Sequence, residues 1–207
     1  MRAILAIVIV AGVGGSAVGA QQRNVAIVVY PGVELLDFAG PGEVFAAADF
    51  NVFTVAATKD PIVSQGFLRI TPEHSIADSP KVDILVIPGG HAASVYDDPK
   101  MMAWVKARVP ATELTMSVCN GALVLAQAGL LDGLRATSHT GAIAALRKFP
   151  RITVVPEERF VDNGRIVTTQ GVSAGIDGAL HVVARLLGAD AATTVARYMM
   201  YRWEPAK

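Results

Sequence analysis

One cysteine, Cys119, stands among 207 residues, so no disulfide forms within the chain and its core must hold it together unaided. No H-x-x-x-H motif or Cys/His spacing marks a metal site, no G-x-S-x-G motif marks a serine nucleophile, and no metal is expected. Charge of neither sign prevails: 18 Lys and Arg face 18 Asp and Glu, with no block of like charge. That balance argues against nucleic acid or an anionic membrane surface as the main partner and suits a small-molecule substrate that is neutral. Internal repeats, low-complexity tracts and linkers are also lacking. Apolar residues make up 52% of the chain, enough to fill one well-packed domain.

The longest apolar run near the start, Ala3 to Val13, is too short to span a bilayer comfortably. It follows a single early positive charge at Arg2 and precedes small residues ending at Ala20, the pattern of a secretory signal peptide over residues 1–20. Rival readings are an uncleaved anchor, or a first strand running into a dinucleotide-type turn at Gly12, Gly14 and Gly15. Cleavage leaves a domain over 21–207 that is periplasmic or secreted, without stable membrane insertion. In such an oxidising compartment a lone cysteine is free or pairs between molecules.

Along the mature chain, short β-branched runs alternate with helical patterns. Residues 24–30, 52–57, 82–87, 114–118, 152–155 and 165–169 read as strands. A helix is expected to begin at Pro41, in its tolerated first-turn position, with Glu43 favouring the positive helix end. Others are expected over 99–108, 120–128, 141–148, 173–187 with Ser173 as N-cap, and 191–201, while 61–80 reads as a hairpin or excursion. The alternation predicts a doubly wound α/β fold with a mostly parallel sheet between helices, whose ligand site lies beyond the carboxyl ends of the strands.

Three loops at such ends carry chemistry-bearing residues. In SVCNG, Cys119 sits at a strand-to-helix corner, where unpaired N–H groups at the helix start would lower its pKa. A buried, apolar-like thiol is the other reading of that residue. In IPGGH, Gly89 and Gly90 allow close backbone approach, and the Gly90 and Asn120 N–H groups form a candidate oxyanion site. In YPGVELLDFAGPGEVF, Glu34 reads as a solvated loop charge, leaving Asp37, between Leu36 and Phe38, as the buried acid/base partner. His91 and His139 lie near strand ends within reach of the same pocket, whereas His74 and His181 read as structural.

Taken together, LLDFAGPGEVF, VIPGG, SVCNGALVLAQAGLLDGLRATSH and GRIVTTQGVSAGIDGAL resemble, in order, the DJ-1/PfpI superfamily and within it the isonitrile hydratase branch. The resemblance spans roughly residues 23–188. It implies a flavodoxin-like sandwich, a homodimer, a cysteine nucleophile at Cys119 and a proton-handling carboxylate at Asp37, with no cofactor. The implied reaction is hydration of an isonitrile to an N-substituted formamide. Alternatives within the resemblance are a glyoxalase-like enzyme and a non-enzymatic redox-sensing or ligand-binding protein. Asn120 stands where the hydratase branch commonly has threonine and the protease-like branch has histidine. With His91 and Thr140, it implies an altered pocket. Relatives that join this domain to a DNA-binding regulator need roughly a hundred further basic, helical residues, so no DNA-binding role is expected of a chain of 207.

Overall fold

The computed structural model describes residues 22–204, so the signal-peptide reading of residues 1–20 lies outside the described residues. The chain opens with strand β1 (Asn24–Val28), helix α1 (Leu35–Ala47) and strand β2 (Asn51–Ala56). A small antiparallel hairpin follows, β3 (Ile62–Ser64) and β4 (Leu68–Ile70), then the short strand β5 (His74–Ser75). Next come β6 (Ile84–Ile87), α2 (Ala93–Tyr96), α3 (Pro99–Arg108), β7 (Leu114–Val118) and α4 (Gly121–Gln127). After β8 (Arg135–Ala136), α5 (Ile143–Leu146) and β9 (Thr153–Val154), the chain ends with β10 (Phe160–Asp162), β11 (Ile166–Thr169), α6 (Ser173–Leu187) and α7 (Ala189–Tyr198).

Seven strands form the main sheet in the order β10-β11-β7-β6-β1-β2-β5, parallel throughout except for the β10–β11 pair. Strands buried on both faces need continuous apolar sequence, and β1 shows why. Val25 and Ile27 face one core with Val44, Phe45 and Leu180, while Ala26 and Val28 face the other with Val105, Val124 and Leu125. Helices α1, α6 and α7 pack together on the first face, and α2, α3 and α4 lie on the second. The expected α/β sandwich is thus observed. From β1 the chain moves outward to β2, then returns past β1 to β6, which opens a crevice at the carboxyl ends of β1, β6, β7 and β11.

Four local expectations are corrected. Helix α1 begins at Leu35, six positions before Pro41, and carries Pro41 in its interior. Glu34 starts it by accepting from the Leu36 N–H at 3.4 Å, so Asp37 lies in the first helical turn rather than in a loop. The glycines flanking Pro41 serve packing: a Cβ on Gly40 would lie 2.9 Å from Ile176, so only a bare residue lets α1 settle on α6. Ser173 is the first residue of α6, not its cap; Val172 occupies that position at φ 51°, and the Ser173 hydroxyl accepts from Arg159 instead. Residues 153–154 pair with β8 in a separate ribbon outside the main sheet. The last helix runs two residues earlier at its start and three earlier at its end than expected, as Ala189–Tyr198. Among the described residues no helix is long and apolar enough to cross a membrane.

Candidate active site

Four strand ends converge on Cys119. The residue leaves β7 at φ 58°, a left-handed conformation that non-glycine side chains adopt at a cost of about 1–3 kcal/mol. Its neighbours enforce the turn. The Cys119 N–H donates to the Thr169 carbonyl at 3.2 Å, and its carbonyl accepts from the Ser138 hydroxyl at 2.8 Å. Gly171, at φ 113°, crosses so close that a Cβ there would lie 2.5 Å from Cys119 Cβ. A side chain at Gly121 would collide with the Ile87 carbonyl, which is why the helix after the corner opens on glycine.

The Asp37 carboxylate is fully buried beside the thiol. Its Oδ2 accepts from the Gly89 N–H at 2.9 Å and its Oδ1 from the Val172 N–H at 2.6 Å. Those two bonds tie α1 to the ends of β6 and β11. Burial raises its pKa above the ordinary carboxylate range, opposed by the two N–H donors and reinforced by the Glu34 charge. Cys119 is likewise pushed up, to about 12, first by burial and then by the Asp37 charge, with the Asn120 backbone N–H pulling in the other direction. The expected lowering of the thiol pKa is therefore reversed. One N–H at the start of a short helix does not offset desolvation and an adjacent carboxylate. Cys119 and Asp37 accordingly act as a coupled pair that resists carrying two negative charges at once.

Gly90 does not play its expected part beside the Asn120 N–H, because the Asn120 side chain engages it. The side-chain Oδ1 of Asn120 accepts from the Gly90 N–H at 2.8 Å, and its Nδ2 donates to the Gly90 carbonyl at 2.8 Å. The Gly90 N–H is thereby engaged rather than available as an oxyanion donor. The Asn120 N–H, turned toward the sulfur, is the donor left at the corner. Beneath both glycines lies Tyr30, which sequence reasoning passed over. Its hydroxyl sits 2.8 Å from the carbonyls of both Pro88 and Gly89, and its pKa is driven well above the ordinary value by burial and then by the charges of Asp37 and Cys119.

Above the thiol opens a cleft of ≈ 500 Å³ whose walls include Gly90, His91, Cys119, Asn120 and His139. The predicted site residues thus share one space, with Gly89 and Asp37 just behind its floor. His139 accepts from the Gly141 N–H through Nδ1 at 3.2 Å, which leaves Nε2 as the ring's other polar atom. Three further side chains in the lining were not anticipated. Glu34 had been read as a solvated charge, Gln65 comes from the tip of the β3–β4 hairpin, and Val172 belongs to the strained turn before α6. A signal for Glu34 was present in its spacing, three residues before Asp37, which stacks both on the first helical turn. Among the described residues no group of three or more His, Cys, Asp or Glu is arranged to hold a metal ion.

A parallel α/β sandwich with a thiol on a strained strand-to-helix corner, set at the switch point of its sheet, defines a class of small-molecule proteins rather than a single activity. The chain belongs to the DJ-1/PfpI family, whose profile matches residues 23–185. It is 32% identical over 185 residues to an isonitrile hydratase of Pseudomonas putida, an alignment covering 88% of this chain and 80% of that protein. Protein DJ-1alpha of Drosophila melanogaster is 25% identical over 190 residues, covering 88% and 86% respectively. Among solved structures, a ThiJ/PfpI family protein from Pseudomonas syringae superposes with a TM-score of 0.81 at 31% identity, covering 90% of this chain and 78% of that one.

Proposed function

We propose that the protein is a cysteine-dependent hydratase acting on isonitriles. The observation that carries this reading is the fully buried Asp37 carboxylate, clamped by two backbone N–H groups against a thiol that stays protonated at neutral pH. A thiol with so high a pKa needs a base in contact, and Asp37, its proton affinity raised by burial, is placed to serve. As the sulfur attacks the terminal isonitrile carbon, Asp37 takes the thiol proton and returns it to that same carbon, giving a thioimidate on Cys119. Water then adds to the thioimidate carbon. Expulsion of the sulfur, with a proton passed back through Asp37, releases the N-substituted formamide and restores the thiol. Splitting the hydration into two steps gives each a lower barrier.

Redox sensing requires a thiol that is ionised and exposed, and the raised pKa of Cys119 weighs against it. Formamide production from a simple alkyl isonitrile tests the proposal, with glyoxal-type electrophiles assayed in parallel. Turnover of glyoxals alone would replace hydration by a glyoxalase-like activity. The proposal extends to the whole molecule: residues 1–20 direct export and the folded unit pairs as a homodimer. The support is the sequence pattern for the first and the family resemblance for the second. N-terminal sequencing of the secreted protein and sedimentation equilibrium check these, and an uncleaved N-terminus or a monomer would refute them.

A further inference from the structure

We infer that Glu34 makes this cleft selective for electrophiles that carry a positively charged ammonium group, and against those that carry a carboxylate. The inference names a substrate class for the proposed hydratase and rests on that reading for the identity of the electrophile.

Glu34 lies in the same cleft wall as Gly90 and Asn120, and its carboxylate is lightly occupied. It accepts a single long bond, from the Leu36 N–H at 3.4 Å, and joins no ion pair among the described residues. Some carboxylates elsewhere hold a cation of the protein's own, as Asp162 holds Arg185, Asp83 holds Lys81 and Glu113 holds Arg23; Glu34 is one that does not, and it is set in the cleft wall. An acid left without a counter-ion at the mouth of a reactive site is placed for one that arrives with the substrate. The lining supplies no fixed positive charge to welcome an anion. Among the described residues that form the cleft there is no lysine or arginine, and the other polar ones are Gln65, His91, Asn120 and His139. The Glu34 charge is also felt by both reacting groups, raising the proton affinity of Asp37 and of Cys119, so it lies within electrostatic reach of the bond-forming atoms. Two opposite charges some 8 Å apart in a half-solvated cleft are worth about a three- to tenfold preference.

The test does not depend on turnover. The folded protein is treated with two methanethiosulfonates of similar size, the aminoethyl cation and the sulfonatoethyl anion, and Cys119 labelling by each is timed by intact mass. Taking the ratio of the two rates cancels the fraction of ionised thiol, which would otherwise change when a neighbouring charge is removed. In wild type the cation:anion ratio is expected to exceed that of a small free thiol by at least about tenfold, and Glu34→Gln is expected to lower it by about tenfold or more, since the attraction of the cation and the repulsion of the anion are lost together. Gln65→Lys, which leaves the start of α1 untouched, should lower it as well. An unchanged ratio in a folded Glu34→Gln protein would overturn the inference. If that variant does not fold, an unchanged ratio in Gln65→Lys does so instead. The matching turnover experiment compares kcat/KM for an aminoalkyl and a carboxyalkyl isonitrile. A protein that hydrates neither, yet keeps the Glu34-dependent labelling ratio, would sink the hydration reading and leave the charge selection standing.

Discussion

The carboxamide of Asn120 pairs edge to edge with the peptide of Gly90, donating to its carbonyl and accepting from its N–H, both at 2.8 Å. This ring of two hydrogen bonds joins residues thirty positions apart and fastens the glycine loop after β6 onto the corner that presents Cys119. Removing the side chain strands two backbone groups at once. Asn120→Ala is expected to destabilise the fold by about 1–2 kcal/mol, the lower range for a partly buried pair that water can reach. Asn120→Asp keeps the acceptor but turns a carboxylate oxygen toward the Gly90 carbonyl, and should cost more. Urea titration of the three proteins checks the order; equal midpoints would show that the ring contributes nothing.

Gly89 fixes the geometry between thiol and acid. A methyl group there would land on Asn120 Oδ1 and 2.7 Å from both Asp37 Oδ2 and Cys119 Cβ, and the two side-chain ends are held in place by their hydrogen bonds to Gly90, Gly89 and Val172. Gly89→Ala should therefore lower stability by about 1–3 kcal/mol and reduce turnover at least about tenfold, since the Gly89 N–H also holds Asp37. Thermal melting and steady-state kinetics measure the two effects. Wild-type activity in this variant would show that the arrangement around Gly89 is not the reactive one.

The raised pKa of Cys119 has a signature in its reactivity. With the thiol pushed to about 12, only the small ionised fraction reacts with iodoacetamide, and that fraction grows tenfold per pH unit. The alkylation rate is expected to climb from pH 7 to 10 without levelling. Asp37→Asn removes the neighbouring negative charge that helps push the thiol up, so its profile should bend over at lower pH and its rate at neutral pH should rise. A wild-type plateau below pH 8 would mean that the thiol is ionised without help from Asp37.

Most of the scaffold was legible because its signals are local. The β-branched run of β1, the apolar run of β7 and the Asp98–Pro99 start of α3, where the Asp98 side chain accepts from the Lys100 and Met101 N–H groups, each carry their own boundaries. Helix α1 was read six residues short because Gly40, Pro41 and Gly42 punctuate locally, whereas the contact with Ile176 that makes them useful comes from the far end of the chain. The edge strand β10 is three residues long and pairs antiparallel with β11, too brief to show an alternation. At the site, residue types at strand ends pointed to Cys119 and Asp37, and the flanking apolar residues foretold the burial of Asp37. The Gly90–Asn120 ring and the Val172 N–H that holds Asp37 were hidden, since each depends on which loops meet across the sheet. The direction of the thiol shift was misread because the helix start is visible in sequence, while the burial of the thiol itself, which pushes its pKa up most, is a tertiary fact.

The account stands most directly on one measurement: formamide formed from an alkyl isonitrile by wild type, Cys119→Ala and Asp37→Asn, with the intact mass of each protein recorded during turnover. Turnover in wild type, its loss by at least about a thousandfold in both variants, and a substrate-sized adduct confined to proteins that keep Cys119 are the predicted results. Full turnover in Cys119→Ala, or in Asp37→Asn, would contradict the claim that this thiol and this buried carboxylate carry the reaction together.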